Sequence, residues 1–206
     1  TKNKATIDFK SELNDDQYKA VTAPFGPALV LAGAGSGKTR TLTYRVAYLL
    51  SEGVNPEDIL LLTFTNKASK QMLERVEELT GMGTHRFLGG TFHHVGGQVL
   101  RLFGASIGLQ RNYTILDDSD SDSLLSEVIR DLDPDFFKSK ENPKAKPIKG
   151  IISYSRNVMV PVEEVAKGRY PSNGELLATI DAFMREYQEA KISRGVADYD
   201  DLLVLW

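Results

Sequence analysis

The chain has 206 residues, enough for one large or two small domains. Its formal net charge is −3, and its contents of 41% hydrophobic and 26% charged residues are typical of a globular protein. It contains no cysteine, which excludes disulfides and thiolate metal sites, and its three histidines are too few to favour a structural zinc site. The sequence lacks the ~18-residue apolar run of a membrane span and an apolar signal-peptide start, so we expect a cytoplasmic protein without a membrane partner.

The first elements of the chain surround a glycine-rich loop. A helix is predicted to open at Leu13-Asn14-Asp15-Asp16-Gln17, where Asn14 is a candidate N-cap. A strand is predicted from Ala28 to Leu31, and it runs into a loop that ends in Lys38 and Thr39. Apolar residues then recur at helical spacing until Gly53. This order of strand, loop and helix is the setting that a phosphate-binding loop requires.

The loop fits the Walker A pattern, with alanine in place of the first glycine. Its glycines permit backbone conformations that are closed to other residues, so that successive N–H groups converge on phosphate oxygens. Lys38 is long enough to reach the β and γ phosphates, and the Thr39 hydroxyl suits Mg²⁺, which makes these two residues the catalytic candidates and Thr39 the metal candidate. The nucleotide-binding candidates are Ala32, Gly33, Ala34, Gly35, Ser36, Gly37, Lys38 and Thr39. The alternative is a glycine-rich turn with a chance Gly-Lys-Thr.

Short apolar runs alternate with amphipathic stretches up to about residue 116. Strands are predicted at residues 59–64, 88–91 and 113–116. Asn66 is a candidate N-cap for a helix that ends before Gly81. The alternation is typical of an α/β fold with a mainly parallel sheet.

Helical signals replace strand signals after Leu116. An acidic first turn at 117–120 opens one helix, and Ser172-Asn173-Gly174 precede another. Between them lies a connection at 138–149 with five lysines: Lys138, Lys140, Lys144, Lys146 and Lys149. On its own this segment favours a solvated loop over a nucleic-acid patch. Residues 117–195 are predicted to form a helical subdomain.

Four further segments accompany the glycine-rich loop in a fixed order. They are Leu13-Asn14-Asp15-Asp16-Gln17, Leu62-Thr63-Phe64-Thr65-Asn66-Lys67-Ala68, Gly90-Thr91-Phe92-His93 and Asp198-Tyr199-Asp200-Asp201-Leu202-Leu203. Together they make nearly the whole chain resemble the N-terminal part of UvrD/Rep-type superfamily 1 DNA helicases. The resemblance implies a partial RecA-like P-loop NTPase domain, formed by residues 1–116 and 196–206, with residues 117–195 as an inserted helical subdomain.

The resemblance also implies roles for individual residues. Gln17 would read the adenine edge with its side-chain amide and favour ATP over GTP, and Arg40 would lie beside the nucleotide. Six residues that follow two strands would contact single-stranded DNA: Phe64, Thr65, Asn66, Thr91, Phe92 and His93. Alternatives stay open, because Gln17 could be a polar surface residue, Phe64 a core aromatic and His93 a capping or packing histidine.

The acidic group of Asp198, Asp200 and Asp201 could be mistaken for a metal site. In the resembling family this segment leads from the insertion back to the nucleotide-binding domain, so none of the three is expected to be a ligand. The insertion of such helicases leans on duplex DNA ahead of the motor, which strengthens the case for phosphate contacts by the lysines of 138–149.

The family's next element is a hydrophobic strand ending in Asp-Glu, which serves Mg²⁺ and the attacking water, and it does not occur before Trp206. The chain is therefore expected to be part of an ATP-dependent 3′–5′ DNA helicase of repair or replication restart. It would bind ATP and Mg²⁺ and contribute to binding single-stranded DNA and its junctions with duplex. Hydrolysis would require the C-terminal motor domain of the same chain.

Two other functions are compatible with a Walker A loop. One is a non-catalytic module that binds ATP or DNA, and a nearby Asp-Glu-x-Gln segment beyond Trp206 would argue against it. The other is a nucleotide or small-molecule kinase, which would need an arginine-rich lid. Arg101, Arg111 and Arg130 are scattered along the chain, so the kinase ranks last.

Overall fold

The structure is a computed structural model that describes residues 7–170 and 174–206. Ser172 and Asn173, predicted to precede a long helix, lie outside the described residues. The chain divides into an N-terminal unit, which ends at Val95, and a C-terminal unit, from Gly96 to Trp206. Both are mostly helical α/β structures with a short parallel sheet. In the part of the chain that is described, no helix has the length and apolar character needed to cross a membrane.

The elements follow one another in chain order. The N-terminal unit contains α1 (Phe9–Glu12), α2 (Asp15–Val21), α3 (Lys38–Ser51), β1 (Leu60–Thr63), α4 (Asn66–Thr80) and β2 (Leu88–Thr91). Helix α5 (Phe92–Phe103) runs across the division. The C-terminal unit contains β3 (Thr114–Ile115), α6 (Asp118–Leu132), α7 (Ala145–Val158), α8 (Val162–Arg169), α9 (Gly174–Ser193), β4 (Val196–Ala197) and α10 (Asp201–Val204).

The N-terminal unit is built around a β1–α4–β2 crossover. Its two strands are parallel, with Leu60 opposite Leu88 and Thr63 opposite Thr91, which confirms both predicted strands with slightly shorter bounds for the first. Helix α4 packs against both strands, and α3 packs against α4. The core of this unit contains Val46, Leu50, Ile59, Leu61, Met72, Val76 and Phe87. Parallel pairing places the carboxyl ends of both strands at one edge, where ligands of such sheets bind.

Helix ends in this unit follow local capping chemistry. Asn14 caps α2 as predicted, because its side chain accepts a hydrogen bond from the backbone N–H of Gln17 in a capping box. The predicted cap at Asn66 is wrong by one residue. Thr65 has extended backbone and its hydroxyl accepts a hydrogen bond from the Ala68 amide, so Asn66 is the first helical residue. Gly81 ends α4 with φ +67°, as its position predicted.

The strand predicted from Ala28 to Leu31 does not form. This segment has no strand assignment, and Leu29 and Leu31 are 85% and 86% exposed. The apolar sequence has the character of a buried strand, but a strand requires a neighbour that satisfies its backbone N–H and C=O groups. None of the strands in the described residues pairs with it.

In the C-terminal unit, β3 and β4 pair in parallel although helices α6 to α9 lie between them in the chain. Thr114 is opposite Val196 and Ile115 is opposite Ala197. The four intervening helices pack around one apolar cluster, which includes Leu125, Ile129, Ile148, Ile151, Ala166, Ile180 and Phe183. A smaller cluster lies beside the strands and contains Leu100, Leu109, Tyr113, Ala197 and Leu202.

The lysine-rich segment at 138–149 is only partly a loop. Helix α7 begins at Ala145. Pro147 falls in its first turn, where proline is tolerated. Lys149 is therefore helical, and its largely buried side chain lies 3.2 Å from Asp118 and 3.5 Å from Asp122 of α6. Lys140, Lys144 and Lys146 are exposed.

A buried polar network joins α9 to the segment before α10. Lys191 is 1% exposed, and its Nζ donates to Asp198 Oδ2 and Asp201 Oδ2 at 2.6 Å each. The backbone amides of Asp198 and Asp201 each donate to the other's carboxylate at 2.9 Å. Arg156 Nη1 of α7 lies 2.7 Å from Asp201 Oδ1, and the Tyr187 hydroxyl donates to Asp198 Oδ2 at 3.0 Å. Lys191 and Arg156 thus hold two of the three carboxylates that could have suggested a metal site. The third, Asp200, accepts a hydrogen bond from Asn157 Nδ2 at 2.7 Å.

The network makes stability depend on pH. Burial acts to raise the pKa of Asp198, but the charge and hydrogen bond of Lys191, the Asp201 amide and Arg156 outweigh it and lower that pKa. A carboxyl with a lowered pKa stabilises the fold above its unfolded-state pKa, about 3.9, and loses this contribution as pH falls through the folded value. We therefore expect the stability advantage of the native chain over Asp198→Asn, measured by urea unfolding, to be present at neutral pH and to shrink below about pH 4. An advantage that is unchanged in acid would contradict this assignment.

Candidate functional site

The glycine-rich loop is shaped by two left-handed residues. Gly35 has φ +77° and Gly37 has φ +84°, conformations that strain other residues. Gly37 is the N-cap of α3, so the N–H groups of the first turn of this 14-residue helix face the loop. The loop is closed by Ser36, whose hydroxyl donates to the Gly33 carbonyl at 2.7 Å. This confirms the predicted loop-to-helix junction, although the preceding strand is not formed.

Lys38 reaches back over the loop that precedes it. Its Nζ donates to the carbonyls of Ala32 at 3.1 Å and Gly33 at 2.7 Å. Thr39 is exposed in the first turn of α3, and Ala34 is exposed in the loop. The amine, the first-turn N–H groups and the Thr39 hydroxyl thus belong to one short segment. A helix N-terminus with a lysine beside it suits an anion, so the residues present fit a nucleotide phosphate.

Gln17 lies against the end of the loop. Its Nε2 donates to the Ser36 carbonyl at 3.1 Å, and its Oε1 accepts from the backbone N–H of Asn14 at 3.3 Å. A Cβ atom at Gly37 would lie 2.6 Å from Gln17 Nε2, so any larger residue there would displace the end of this side chain from its present position. A glutamine amide has two N–H donors and two oxygen lone pairs, so one of each stays available after these two bonds.

Arg40 follows the loop and points to the segment before α2. Its Nη2 donates to the backbone carbonyl of Glu12 at 2.8 Å, to Glu12 Oε2 at 3.0 Å and to the Tyr44 hydroxyl at 3.1 Å. The guanidinium carbon also lies 4.7 Å from the centre of the Tyr44 ring. These contacts account for the direction of the side chain, and a nucleotide contact by Arg40 stays a prediction.

A second candidate site lies where β1 and β2 end. Phe64 follows β1 and Phe92 follows β2, and their ring centroids are 5.4 Å apart with an interplanar angle of 39°. Phe64 is 90% exposed, so it is not a core aromatic. Side-by-side aromatic rings at the surface offer flat apolar faces on which nucleic-acid bases can stack.

Polar groups flank this aromatic pair. Helix α4 begins at Asn66 and α5 begins at Phe92, so the amino ends of two helices lie next to the two rings. Thr91 Oγ1 accepts a hydrogen bond from the His94 amide at 3.2 Å. Thr65, Asn66 and His93 are exposed. The structure therefore brings the six predicted DNA-contacting residues to one edge of the sheet.

Sequence reasoning missed three residues that support the candidate nucleotide site. Glu12 and Tyr44 hold Arg40, and Arg45 Nη1 donates to the backbone carbonyls of Val21 at 2.7 Å and Ala23 at 2.5 Å. Arg45 belongs to none of the motifs of the sequence, and its half-buried position in α3 is known only from the structure. Its targets are backbone atoms, which leave no trace in a sequence pattern.

Comparison with known proteins adds to this geometry. The UvrD/REP helicase N-terminal domain family matches residues 13–206. The chain is 37% identical over 193 residues to ATP-dependent DNA helicase PcrA of Staphylococcus epidermidis, 39% over 197 residues to that of Bacillus subtilis and 36% over 195 residues to that of Staphylococcus aureus. These alignments cover 93% or 94% of the chain but 25% or 26% of each relative. The chain thus spans about a quarter of the length of these relatives.

Proposed function

The chain belongs to the UvrD/REP helicase N-terminal domain family, and from that premise we propose that it is the nucleotide-binding and DNA-contacting part of an ATP-dependent DNA helicase. The observation that carries the proposal is the meeting of Gln17, the glycine-rich loop and the amino end of α3. The helicase moves 3′ to 5′ along single-stranded DNA and acts at its junctions with duplex. The chain's similarity to relatives named ATP-dependent DNA helicase supports the use of ATP and the action on DNA.

The nucleotide is ATP with Mg²⁺. The loop N–H groups and Lys38 would hold the phosphates, Thr39 would supply a hydroxyl to Mg²⁺, and Gln17 would contact the base. Mg²⁺ would neutralise charge that develops on the phosphates during transfer. The attacking water would be positioned by an Asp-Glu segment and a second motor domain outside these 206 residues.

Single-stranded DNA would bind where β1 and β2 end. Phe64 and Phe92 would stack on bases, and Thr65, Asn66 and His93 would hydrogen-bond the backbone. Residues 1–116 and 196–206 would form the RecA-like domain, with 117–195 as its helical insertion. The parallel pairing of β3 with β4 supports this division, because it brackets the four intervening helices. The exposed Lys140, Lys144 and Lys146 would contact duplex phosphates.

Replacing Phe64 with alanine tests the DNA site. We expect this variant to lose about 1–3 kcal/mol of binding free energy for a short single-stranded DNA, because one stacking face is removed. The fold should be unaffected, since Phe64 is almost fully exposed. Fluorescence anisotropy of a labelled oligonucleotide measures the change.

Phe25→Ala is the matched control, since Phe25 is 76% exposed in the same unit and lies outside the proposed site. Equal DNA affinity in the native chain and Phe64→Ala, or an equal loss in Phe25→Ala, would contradict the proposal. The alternative of a non-catalytic module is tested on the full-length protein, where a helicase shows ATP hydrolysis stimulated by single-stranded DNA.

A further inference from the structure

Helix α2, which carries Gln17, is held at both ends by arginines of α3. Before its first turn, Arg40 Nη2 donates to the Glu12 carbonyl and to the Glu12 carboxylate. At its other end, Arg45 Nη1 donates to the carbonyls of Val21, the last residue of α2, and of Ala23 just beyond it. Gln17 lies between these two anchors, and its side chain contacts the glycine-rich loop, called the phosphate loop below, at the Ser36 carbonyl.

The Arg45 anchor has a clear physical basis. The last carbonyls of a helix have no partner within the helix, and a cation near them also interacts favourably with the helix dipole. A terminal guanidinium nitrogen carries two N–H donors, so Nη1 of Arg45 can serve both carbonyls by itself. Helix α2 has only seven residues, too few to be stable alone, so its position depends on what it packs against.

The Glu12 anchor is completed by a tyrosine of α3. Tyr44 is buried, and its hydroxyl donates to Glu12 Oε2 at 3.0 Å while its ring lies beside the Arg40 guanidinium. The carboxylate of Glu12 is thus held by two groups of one helix. Both anchors therefore fix α2 to the same helix that begins at the phosphate loop.

This arrangement determines how the Gln17 amide is presented. Its Oε1 is turned toward the backbone N–H of Asn14 and its Nε2 toward the Ser36 carbonyl. A fixed amide offers one donor and one acceptor, which match the N7 and N6 groups of adenine, whereas guanine presents two acceptors there. If α2 moved by about 1 Å, the 3.1 Å bond to Ser36 would be lost, and the Gln17 side chain would keep its bond from the Asn14 backbone N–H but no longer be fixed to the loop.

We infer that Arg45, together with the Glu12–Arg40 pair, positions Gln17 on the phosphate loop and thereby establishes the preference for adenine over guanine. Arg45 contacts backbone carbonyls of the chain, so it is a positioning residue that acts through Gln17. The base preference rests on the proposed ATP site, but the anchoring of α2 does not.

The test compares Arg45→Met with Arg86→Met. Methionine keeps most of the apolar stem and removes the donors. Arg86 is the matched control because it lies in the same unit and its ion pair, at 3.1 Å, is with Glu57 and not with a residue of α2. Hydrogen exchange of the α2 amides is measured first without nucleotide. Calorimetry then gives the affinities for Mg-ATP, Mg-GTP and Mg-tripolyphosphate, each also in a Gln17→Ala background.

We expect faster exchange in α2 for Arg45→Met than for Arg86→Met. The ratio of ATP to GTP affinity should fall about tenfold, the lower part of the range for one bidentate base contact, while tripolyphosphate affinity is retained. In the Gln17→Ala background Arg45→Met should change the ratio no further, because both act through one contact. Glu12→Ala, which keeps the Glu12 carbonyl, should give the same pattern and serves if Arg45→Met does not fold.

Unchanged exchange in α2 would overturn the anchoring. Faster exchange with an unchanged ratio, or an equal loss of ATP and tripolyphosphate, would overturn the role in base preference. A native chain that exchanges slowly in α2 but binds no tripolyphosphate would refute the proposed nucleotide site, and the base preference with it, while leaving the anchoring confirmed.

Discussion

Replacing Lys191 with methionine is expected to lower the free energy of unfolding by about 3–5 kcal/mol, the usual cost of breaking a buried ion pair from one side. Lys191 is almost fully buried and lies 2.6 Å from the carboxylates of both Asp198 and Asp201. Methionine occupies a similar volume, so the effect comes from lost charge more than from a cavity. The two aspartates would keep Arg156 as their only cationic partner among the described residues.

The loss arises because two carboxylates would be left close together in a poorly solvated place. Asp198 and Asp201 are both buried, and each carboxylate already accepts a hydrogen bond from the other residue's backbone N–H. A second change, Asp201→Asn, removes one of the two negative charges that repel each other. The double variant should therefore lose less free energy of unfolding than the sum of the losses of the single variants. Urea unfolding followed by circular dichroism gives each free energy.

Arg194→Met is the control for this prediction. Arg194 pairs with Glu127 through two hydrogen bonds, yet both side chains are about half exposed, so their removal should change stability little. A loss in Lys191→Met no larger than in Arg194→Met would show that the buried network does not stabilise the C-terminal unit.

Local chemistry explains which parts of the fold could be predicted from the sequence. The cap at Asn14, the helix stop at Gly81 and the left-handed glycines of the loop depend on residues within four positions of one another. Lys191 shows the limit of this approach. It continues the apolar face of Ile180, Phe183 and Tyr187 in α9, and that position is a signal of burial, but its partners come from another segment.

Long-range contacts account for what the sequence did not predict. The run from Ala28 to Leu31 has the composition of a buried strand, yet a strand also needs a paired neighbour, and composition does not reveal whether one is present. The family resemblance predicted that Phe64 and Phe92 follow two strands of the sheet, and the structure places their rings side by side. The exposure of Phe64 is known only from the structure. Arg45 could not be found because it binds carbonyls, which every residue has.

Replacing Lys38 with alanine is expected to weaken Mg-ATP binding by about ten- to a hundredfold, because hydrogen bonds to charged groups contribute about 1.5–3 kcal/mol each. In the chain, Lys38 Nζ donates to the Ala32 and Gly33 carbonyls, so its charge already lies within the loop. A bound phosphate would offer this amine a charged acceptor in place of neutral carbonyls. The gain in binding comes from that exchange, and alanine removes it.

Calorimetry of Mg-ATP and Mg-GTP binding, with and without a short single-stranded DNA, measures the effect. Lys70→Ala is the control, since Lys70 is an exposed lysine of the same unit that pairs only with Glu74 among the ion pairs of the described residues. Lys38→Arg keeps the charge but replaces the compact ammonium with a broad planar group, so it should restore little binding. If Lys38→Ala binds Mg-ATP as tightly as Lys70→Ala does, the phosphates lie elsewhere, and the loop is a structural turn at the start of α3.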